Sequence, residues 1–528
     1  MPFRPTRRGF LAGAGAAAAC GLLPGFGRSA LAAPAGTFEL VAESRVIDVD
    51  GKAATVFGVA GPGGRQGVVL EPGERFSAIL RNRMGAATIV HWHGQTPPPE
   101  QDGVTSTGYV SPILDGESAT YDFVPRPGTH WMHSHQGLQE QRLLAAPLIV
   151  RTPDDAAMDA REVVVMLHDF SFRDPEEILA GLTGMAAGGA AQGHGMADGS
   201  MDMPGMDHGA MSGGAMSGGA MNGGSMDHGG MAGMEGMGGM EGMNSSGMAG
   251  HAMPGMAHGM ADLNDIPYDA FLANDRTLSD PEVVRVERNG KVRLRVINGA
   301  TASNFWLDLG ALTGTLIAVD GNEVVPLEAS RFPLAMAQRL DIVVTVKDGA
   351  FPILAQLEGA TARTGIVLAT PDAAVPKLSK EADAPVPAVD LSLEGRLQAL
   401  YPLGDAAADI RHDVELGGSM MPFRWTMDGR VWSNRKTLPV RGGKRVVIGF
   451  TNPSPMSHPM HLHGHHFQVV EIDGRPVAGA VRDTVLVMPG GSVRVAFDAD
   501  NPGRWLIHCH NLYHMATGMM TEVVYEDG

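Results

Sequence analysis

Short alternating runs of hydrophobic and polar residues occupy the chain on both sides of a different central segment. Examples are residues 75–80, 291–298 and 444–450, and Gly and Pro interrupt such runs at close intervals. A period of two is the pattern of a half-buried β-strand, and short strands separated by turn residues are typical of sandwiches and barrels. The pattern therefore predicts an all-β protein.

Segments near the start of the chain recur near its end. Residues 127–135 align with residues 502–510 at a constant offset of 375, and residues 91–94 align with residues 461–464 at an offset of 370. This repeat predicts duplicated β domains. Residues 296–308 begin like the repeats but carry no histidine, which predicts a related middle domain without metal ligands.

The length of 528 residues exceeds one ordinary core and favours several domains. We place three β domains at residues 37–160, 161–375 and 385–528. The second contains an insert at residues 185–260, which holds 18 of the 33 methionines, five histidines and no Lys or Arg. Because the Gly, Ala and Ser residues around them cannot bury enough apolar surface to offset chain entropy, we predict that this Met/Gly-rich insert is disordered.

The first residues have the features of an export signal. Arg7 and Arg8 precede a stretch rich in Ala, Gly and Leu that ends near a small-residue cleavage site at residues 30–32. We therefore predict that residues 1–32 are a twin-arginine signal and that the mature protein is periplasmic. Whether Cys20 instead receives a lipid is left open. No later stretch is long and apolar enough to predict a transmembrane span.

Cysteine usage and charge narrow the chemistry. If Cys20 leaves with the signal, Cys509 is the one thiol of the mature chain, in a compartment where cysteines usually pair. A bound metal would occupy such a thiol. The net charge of −18 argues against a nucleic-acid partner and favours cationic or neutral substrates.

Four His-x-His pairs lie in the two repeated regions. They are His91 and His93, His133 and His135, His461 and His463, and His508 and His510. Alternate side chains of a strand face the same side, so the members of each pair are expected to point together. Neutral imidazole suits copper, and eight converging imidazoles can hold three ions.

Cys509 lies between the two histidines of the last pair and is therefore expected to face the opposite side of its strand. His514 follows it by five residues and Met519 by ten, while His458 precedes the third pair. One thiolate, two imidazoles and a weak thioether make a blue-copper electron-transfer site. One electron stored there and three in the cluster make the four that convert O2 to water.

These motifs resemble the four copper motifs of the multicopper oxidases. The resemblance rests on His91-Trp92-His93-Gly94, Trp131-Met132-His133-Ser134-His135, His458-Pro459-Met460-His461-Leu462-His463-Gly464, and His508-Cys509-His510-Asn511-Leu512-Tyr513-His514 with Met519. It covers nearly the whole mature chain outside the insert, and it is greatest with the bacterial cuprous oxidases and Met-rich copper-resistance proteins. It implies three cupredoxin-like Greek-key domains of the sandwich or barrel type.

The resemblance also implies a ligand set for four copper ions. The type 1 ion would be held by His458, Cys509, His514 and Met519, and Cys509 would carry electrons onward. The remaining ligands are His91 and His461 for the type 2 ion, His93, His133 and His510 for one type 3 ion, and His135, His463 and His508 for the other.

Side chains near these motifs raise further expectations. Asp102 matches the acid that the family places near the type 2 ion and is expected to relay protons to bound oxygen, with an ordinary turn aspartate before Gly103 as the alternative. Cuprous oxidases carry an acid after the last type 1 histidine, where this chain has Met515, so a second proton route is left open. Met456 would line a substrate-copper site, although Ser454 replaces the acid that the family places there.

The insert suggests a substrate, because thioether sulfur selects Cu(I). Clustered sulfurs are offered by Met231, Met234, Met237, Met240 and Met243. We therefore expect additional Cu(I) on the insert, with a linker that binds nothing as the alternative. The sequence thus predicts a monomeric oxidase that reduces O2 with electrons from Cu(I), and also from phenols and aromatic amines, in copper tolerance. A general laccase and a copper-sequestering protein are the alternatives.

Overall fold

The structure, a computed structural model, describes residues 36–184 and 263–526. The predicted export signal and the predicted disordered insert lie outside the described residues. Nearly all regular structure in the described part is β-strand, as the alternating pattern predicts. Among the described residues, no helix is long and apolar enough to cross a membrane.

The described residues contain 31 strands and three short α-helices. The first eight strands are β1 (Phe38–Val49), β2 (Lys52–Ala60), β3 (Val68–Leu70), β4 (Phe76–Arg83), β5 (Val90–His93), β6 (Ser118–Phe123), β7 (Gly128–Ser134) and β8 (Ala145–Val150). The next eleven are β9 (Arg161–Phe170), β10 (Ala270–Ala273), β11 (Val283–Arg285), β12 (Gly290–Asn298), β13 (Phe305–Asp308), β14 (Gly314–Val319), β15 (Asn322–Ala329), β16 (Arg331–Leu334), β17 (Arg339–Val346), β18 (Ala350–Leu357) and β19 (Arg363–Ala369).

The last twelve strands are β20 (Ile410–Met420), β21 (Phe423–Met427), β22 (Leu438–Val440), β23 (Arg445–Thr451), β24 (His458–Leu462), β25 (Phe467–Ile472), β26 (Arg475–Pro476), β27 (Val481–Arg482), β28 (Thr484–Val487), β29 (Ser492–Asp498), β30 (Arg504–Cys509) and β31 (Met520–Tyr525). The helices are α1 (Pro153–Ala157), α2 (Pro175–Thr183) and α3 (Leu512–Ala516).

The strands form six sheets that group in pairs along the chain. The first pair has the strand orders β2-β1-β4-β6 and β3-β8-β7-β5, and the middle pair has the orders β10-β9-β12-β17-β14-β15 and β11-β19-β18-β13-β16. The last pair has the orders β21-β20-β23-β29-β25-β26, with β27 also on β25, and β22-β31-β30-β24-β28. The three largest clusters of buried hydrophobic residues lie within these pairs. The predicted all-β fold of three cupredoxin-like sandwiches is thereby confirmed, while the domain boundaries stay predictions.

Strands β4 and β12 show how the alternating runs fold. In β4, Phe76, Ala78 and Leu80 are buried on one face, and most residues between them are partly exposed. Strand β12 lies between β9 and β17 inside a covered sheet, so its alternate residues Arg293 and Arg295 are buried as well. Both arginines donate hydrogen bonds to the carboxylate of Asp341, which pairs charges that would otherwise be costly to bury.

The first and last sandwiches place their histidine motifs in equivalent sheets. In the first sandwich β5 pairs with β7, and His91 lies opposite His133. In the last sandwich β24 pairs with β30, and His461 lies opposite His508. The corresponding strands of the middle sandwich are β13 and β18, and neither of these two described strands carries a histidine. The repeat in the sequence therefore corresponds to a repeat of sheet topology.

Two short helices lie beside the motif that contains Cys509. Helix α3 begins after Asn511, whose side chain accepts hydrogen bonds from the backbone N–H groups of Tyr513 and His514. This cap bends the chain directly after β30 and returns His514 toward Cys509. Helix α2 packs Leu179 and Leu182 against the core of the last sandwich, although it comes from the middle of the chain.

Candidate metal centre

The structure brings the eight paired histidines together between the first and last sandwiches. Their ring nitrogens form three groups within which the atoms lie no more than 4.8 Å apart. The groups are His91, His93 and His461; His93, His133 and His510; and His135, His463 and His508. The second and third groups are the two sets that the resemblance assigns to the type 3 ions. The first contains both histidines assigned to the type 2 ion.

Each histidine pair lies where a strand ends. Strand β5 ends at His93, whereas β7, β24 and β30 end one residue before the second histidine of their pairs. Three of the eight rings therefore come from the turn after a strand, and strand alternation alone does not determine their orientation. The rings still stack across the two sandwiches, with centroids 3.7 Å apart for His93 and His461 and 3.8 Å for His91 and His463.

Backbone carbonyl groups orient several of these rings. Nδ1 of His91 donates to the carbonyl oxygen of Asp102 at 2.9 Å. Nδ1 of His461 donates to that of Asp483 at 2.8 Å, and His508 makes a bond of the same kind. Because a carbonyl oxygen only accepts, the proton of each ring is assigned to Nδ1. The unprotonated Nε2 atoms then face the cluster, ready to bind a metal.

Several ring nitrogens of the cluster histidines have no hydrogen-bond partner among the described residues. They are Nε2 of His91, His133, His135 and His461, Nδ1 of His93, and both ring nitrogens of His510. One buried polar atom without a partner costs about 1–3 kcal/mol, so their concentration in one place needs an explanation. Metal ions would satisfy them, and the donor set of neutral imidazoles fits copper.

Seven of the eight rings are held in the neutral form that binds a metal. Burial lowers the pKa of His508 to about 3. Burial first, and neighbouring cationic or imidazole groups second, lower the pKa well below its ordinary value for His93, His133, His135, His461 and His463. Burial does the same to the pKa of His510. Metal binding therefore does not need to compete with protons at these rings near neutral pH.

Strand β30 presents Cys509 to the side opposite the cluster. Its Sγ lies 3.7 Å from Nδ1 of His458 and 3.7 Å from Nδ1 of His514, and these two nitrogens are 3.2 Å apart. Met519 is fully buried, and its backbone pairs with those of Cys509 and His514. Burial raises the pKa of the Cys509 thiol, so a metal has to displace the thiol proton to gain a thiolate ligand.

The two imidazoles of this second site have different neighbours. Ser454 Oγ lies 2.7 Å from Nε2 of His458. Ser454 occupies the position where the resemblance implies an acid. The acid lies at the other imidazole, because Nε2 of His514 donates to Oδ2 of Asp265 at 3.0 Å. Asp265 is fully buried at its side chain and also accepts from Asn511. The sequence analysis missed Asp265, which stands shortly after the insert without any local motif.

Asp102 lies against the cluster rather than in an ordinary surface turn. It is 1% exposed, Oδ2 accepts from Nδ1 of His463 at 2.9 Å, and Oδ1 lies 3.2 Å from Nδ1 of His91. The next residue, Gly103, has a φ of +78°, and a Cβ there would lie 1.8 Å from the carbonyl oxygen of Val90. Only glycine fits this position, so the Asp-Gly turn is what delivers the acid to the cluster.

Two further buried carboxylates contact the cluster and were not recognised in the sequence. Oε2 of Glu140 lies 3.0 Å from Nδ1 of His133, and burial raises the pKa of Glu140 to about 7. Oδ1 of Asp483 accepts from Nε2 of His93 at 3.0 Å. Burial alone would raise the pKa of Asp483, but the guanidinium of Arg339 more than offsets this and holds it below its usual range. Histidines of metal sites commonly have such carboxylate partners.

Comparison with known proteins identifies the family. Sequence models described as multicopper oxidase match residues 41–155, 241–375 and 409–528. Multicopper oxidase MmcO of Mycobacterium tuberculosis is 30% identical over 464 residues, which cover 86% of this chain and 80% of that protein. The chain belongs to the multicopper oxidase family. This multicopper oxidase is therefore an oxidoreductase that uses oxygen and copper cofactors, as the sequence predicts.

Two other likenesses bear on the site. A copper resistance protein A homolog of Pseudomonas syringae pv. tomato is 26% identical, with both chains covered completely. The solved structure of a laccase from Botrytis aclada superposes on this multicopper oxidase with a TM-score of 0.67 at 20% identity, over 94% of this chain and 89% of the laccase. The structural likeness supports the fold of three cupredoxin-like sandwiches.

Proposed function

We propose that this multicopper oxidase removes single electrons from a reduced substrate at one copper ion and uses them to convert O2 to water at three others. The observation that carries this proposal is the position of Cys509. Its Sγ approaches the imidazoles of His458 and His514, while its two neighbours in the chain belong to the eight-histidine cluster. One short peptide segment therefore belongs to both sites.

The proposed ligands divide between the two sites. Four residues hold the type 1 ion, namely His458, Cys509, His514 and Met519. Eight residues hold the type 2 ion and the type 3 pair, namely His91, His93, His133, His135, His461, His463, His508 and His510. The partnerless ring nitrogens at the centre of the cluster support this division, as does the opposite orientation of the thiol.

The protein's own groups prepare the two sites for their reactions. When bound, the copper ions supply one-electron transfer and the reduction of O2. Cys509 and the peptide on either side of it provide the covalent route between the sites. Asp102 is the proposed proton donor: its Oδ1 has no hydrogen-bond partner among the described residues, and it passes a proton toward the centre of the cluster.

Cu(I) is the substrate that we propose for this enzyme, in copper tolerance of the periplasm. The described residues on both sides of the insert contact the last sandwich, which holds the proposed type 1 ligands. Helix α2, which precedes the insert, packs Leu179 and Leu182 into the same hydrophobic cluster as Met420 and Met515. Asp265, which follows the insert, bonds to His514. Thioethers select Cu(I), and the insert that connects these two positions carries 18 methionines.

Deletion of residues 185–260 tests the substrate. We expect steady-state oxidation of Cu(I) to fall, while oxidation of a bulky phenol by the same copper-loaded protein stays equal or rises. A variant of unchanged length, with the methionines of 185–260 replaced by leucine, controls for the loss of bulk and should reproduce the loss with Cu(I). Collapse of phenol oxidation with intact Cu(I) turnover would show that the substrate is wrongly assigned.

A general laccase is the second candidate, and its support is the structural likeness to a laccase. Both candidates use the same two sites and differ in the reduced substrate, Cu(I) or a phenol, that gives its electron to the type 1 site. A laccase without preference for Cu(I) would show the same ratio of Cu(I) to phenol turnover before and after the methionines are replaced. The deletion experiment therefore separates the two candidates.

A further inference from the structure

The middle sandwich, which carries none of the proposed copper ligands, contributes a buried arginine at the edge of the cluster. Arg339, the first residue of β17, is fully buried, and Nη1 donates to Oδ1 of Asp483 at 2.8 Å. Nη2 donates to Oδ2 of the same carboxylate. Asp483 lies between β27 and β28 of the last sandwich and is equally buried. The guanidinium thus forms a bidentate ion pair with the carboxylate, which orients the carboxylate and balances its charge.

Arg339 is also anchored to the first sandwich. Its Nε donates to the carbonyl oxygen of Thr129, a residue of β7, at 3.2 Å, and Nη1 donates to the carbonyl oxygen of Ala337 at 3.0 Å. Gly94 passes close by, since a Cβ on it would lie 2.6 Å from Nη2 of Arg339 and 2.8 Å from Oδ2 of Asp483. One side chain therefore joins all three sandwiches at a point next to His93.

His93 is oriented in the opposite sense to His91 and His461. In those two rings Nδ1 donates to a carbonyl oxygen and Nε2 faces the cluster. In His93, Nε2 lies 3.0 Å from Oδ1 of Asp483, and Nδ1 is the nitrogen without a partner. Since an ionised carboxylate only accepts, the proton of His93 is held at Nε2, and Nδ1 is left bare toward the other imidazoles.

We propose that Arg339 and Asp483 are positioning residues that select Nδ1 of His93 as the copper-binding atom and thereby make assembly of the cluster depend on docking of the middle sandwich. This inference rests on the proposed copper function. By this proposal the middle sandwich helps to orient a ligand of the oxygen-reducing cluster, although its own strands hold no proposed ligand. Carboxylate partners of this kind are worth about 10- to 100-fold in metal affinity.

The variant Asp483→Asn tests the proposal with almost no change in shape. Arg339 donates to both oxygens of Asp483, and Oδ1 also accepts from Nε2 of His93, so the amide NH2 must face either Arg339 or His93, and neither arrangement keeps all of these hydrogen bonds. When the NH2 faces His93, Nε2 has to accept and the proton moves to Nδ1, which is the wrong tautomer for binding, as in buried aspartate-to-asparagine changes beside a catalytic histidine. When the NH2 faces Arg339, the bidentate ion pair that positions the side chain is lost. We expect copper affinity of the cluster to fall about 10- to 100-fold, measured by competition with a chelator, and the near-ultraviolet band of the paired ions to weaken while the blue band stays.

Glu358→Gln is the matched control. Glu358, directly after β18 of the middle sandwich, is also buried and accepts hydrogen bonds from the Asn304 side chain and the backbone N–H of Val389, and it lies outside the histidine groups. We expect it to lower the unfolding temperature and to leave copper affinity and both bands at wild-type values. Wild-type copper affinity in Asp483→Asn, or an equal loss in both variants, would overturn the proposal.

Arg339→Lys provides a second reading if Asp483→Asn fails to fold. A lysine keeps the charge but cannot donate to both oxygens at once. We therefore expect copper affinity of the cluster and the near-ultraviolet band to decrease, but by less than in Asp483→Asn. Unchanged copper affinity would overturn the proposal. Wild-type protein without a paired-copper band would instead show that the proposed function is wrong. The two failures are thereby distinguishable.

Discussion

The thiol site and the histidine cluster are assembled from the chain in different ways. At the thiol site His458, Cys509 and His514 come from one sandwich, from two neighbouring strands and the helix that follows them. The cluster is divided between residues 91–135 and residues 461–510, so it exists only where two sandwiches meet. On the proposed assignment, electron uptake takes place within one domain, whereas oxygen reduction depends on how two domains dock.

The largest expected effect removes the connection between the two sites. In Cys509→Ser the soft ligand is lost, because a hydroxyl is a poor ligand for copper beside two imidazoles. We expect the blue band and O2 uptake to fall below detection with every reductant, while the near-ultraviolet band of the cluster persists. Absorption spectra and an oxygen electrode measure these outcomes together.

His412→Gln is the control for this change. His412 lies on β20 of the same sandwich, away from both sites, and its Nε2 donates to the carbonyl oxygen of Pro439. It should retain both bands and full O2 uptake. If Cys509→Ser continued to consume O2 at the wild-type rate, electrons would have to enter the cluster by another route, and the division of labour between the sites would be wrong.

A second change affects the cluster alone. Asp102→Asn keeps the shape but removes the carboxylate that accepts from His463. We expect kcat to fall about 10²- to 10⁴-fold, the usual contribution of a general acid, and to fall equally for Cu(I) and a phenol. The blue band should be intact at rest and bleached during turnover, because electrons arrive but are not used.

Asp122→Asn controls for loss of a carboxylate in the same sandwich, since Asp122 is half exposed and pairs with Arg75. It should leave kcat unchanged. A loss in Asp102→Asn that occurred with only one of the two substrates would contradict a role in oxygen reduction.

The smallest expected effect belongs to the thiol site. Asp265→Asn removes the charge that accepts from Nε2 of His514. We expect kcat/KM for Cu(I) to fall about 10-fold, the lower end for a group that orients a metal-bound histidine, with both absorption bands retained. Asp269→Asn, at an exposed carboxylate that bonds to Ser171 and the Phe172 backbone, should behave as wild type. An equal loss in both variants would mean that Asp265 has no specific role in electron entry.

The sequence predicts well what is local to a strand. The common facing of His91 and His93 on β5, the opposite orientation of Cys509 and the repeated β domains follow from a period of two and from the internal repeat. The second histidines of the other three pairs lie one residue past their strands, so the period of two does not orient them. The helical cap at Asn511 that returns His514 is local as well, but the sequence analysis did not predict it.

Groups brought together by tertiary contacts were not predictable in this way. Asp265 and Asp483 reach their histidines from distant segments, and Asp483 is 390 residues from His93. Glu140 follows His133 closely in the chain, but no motif marks it. No spacing rule connects such positions. The one available signal was the pair Arg482-Asp483 inside an apolar run, since charged residues there are rarely buried without a partner.

Gly94 carries a consequence for how the motif His-Trp-His-Gly is understood. A side chain at this position would collide with Arg339, Asp483 and His130 rather than with any copper ligand. Glycine is therefore required at the fourth position of the motif by a φ of +82° and by three close side chains. One of these, Arg339, lies 245 positions downstream in a domain that the motif does not include. A motif used to recognise copper binding therefore also contains a residue without a Cβ that leaves room for a side chain of the middle domain.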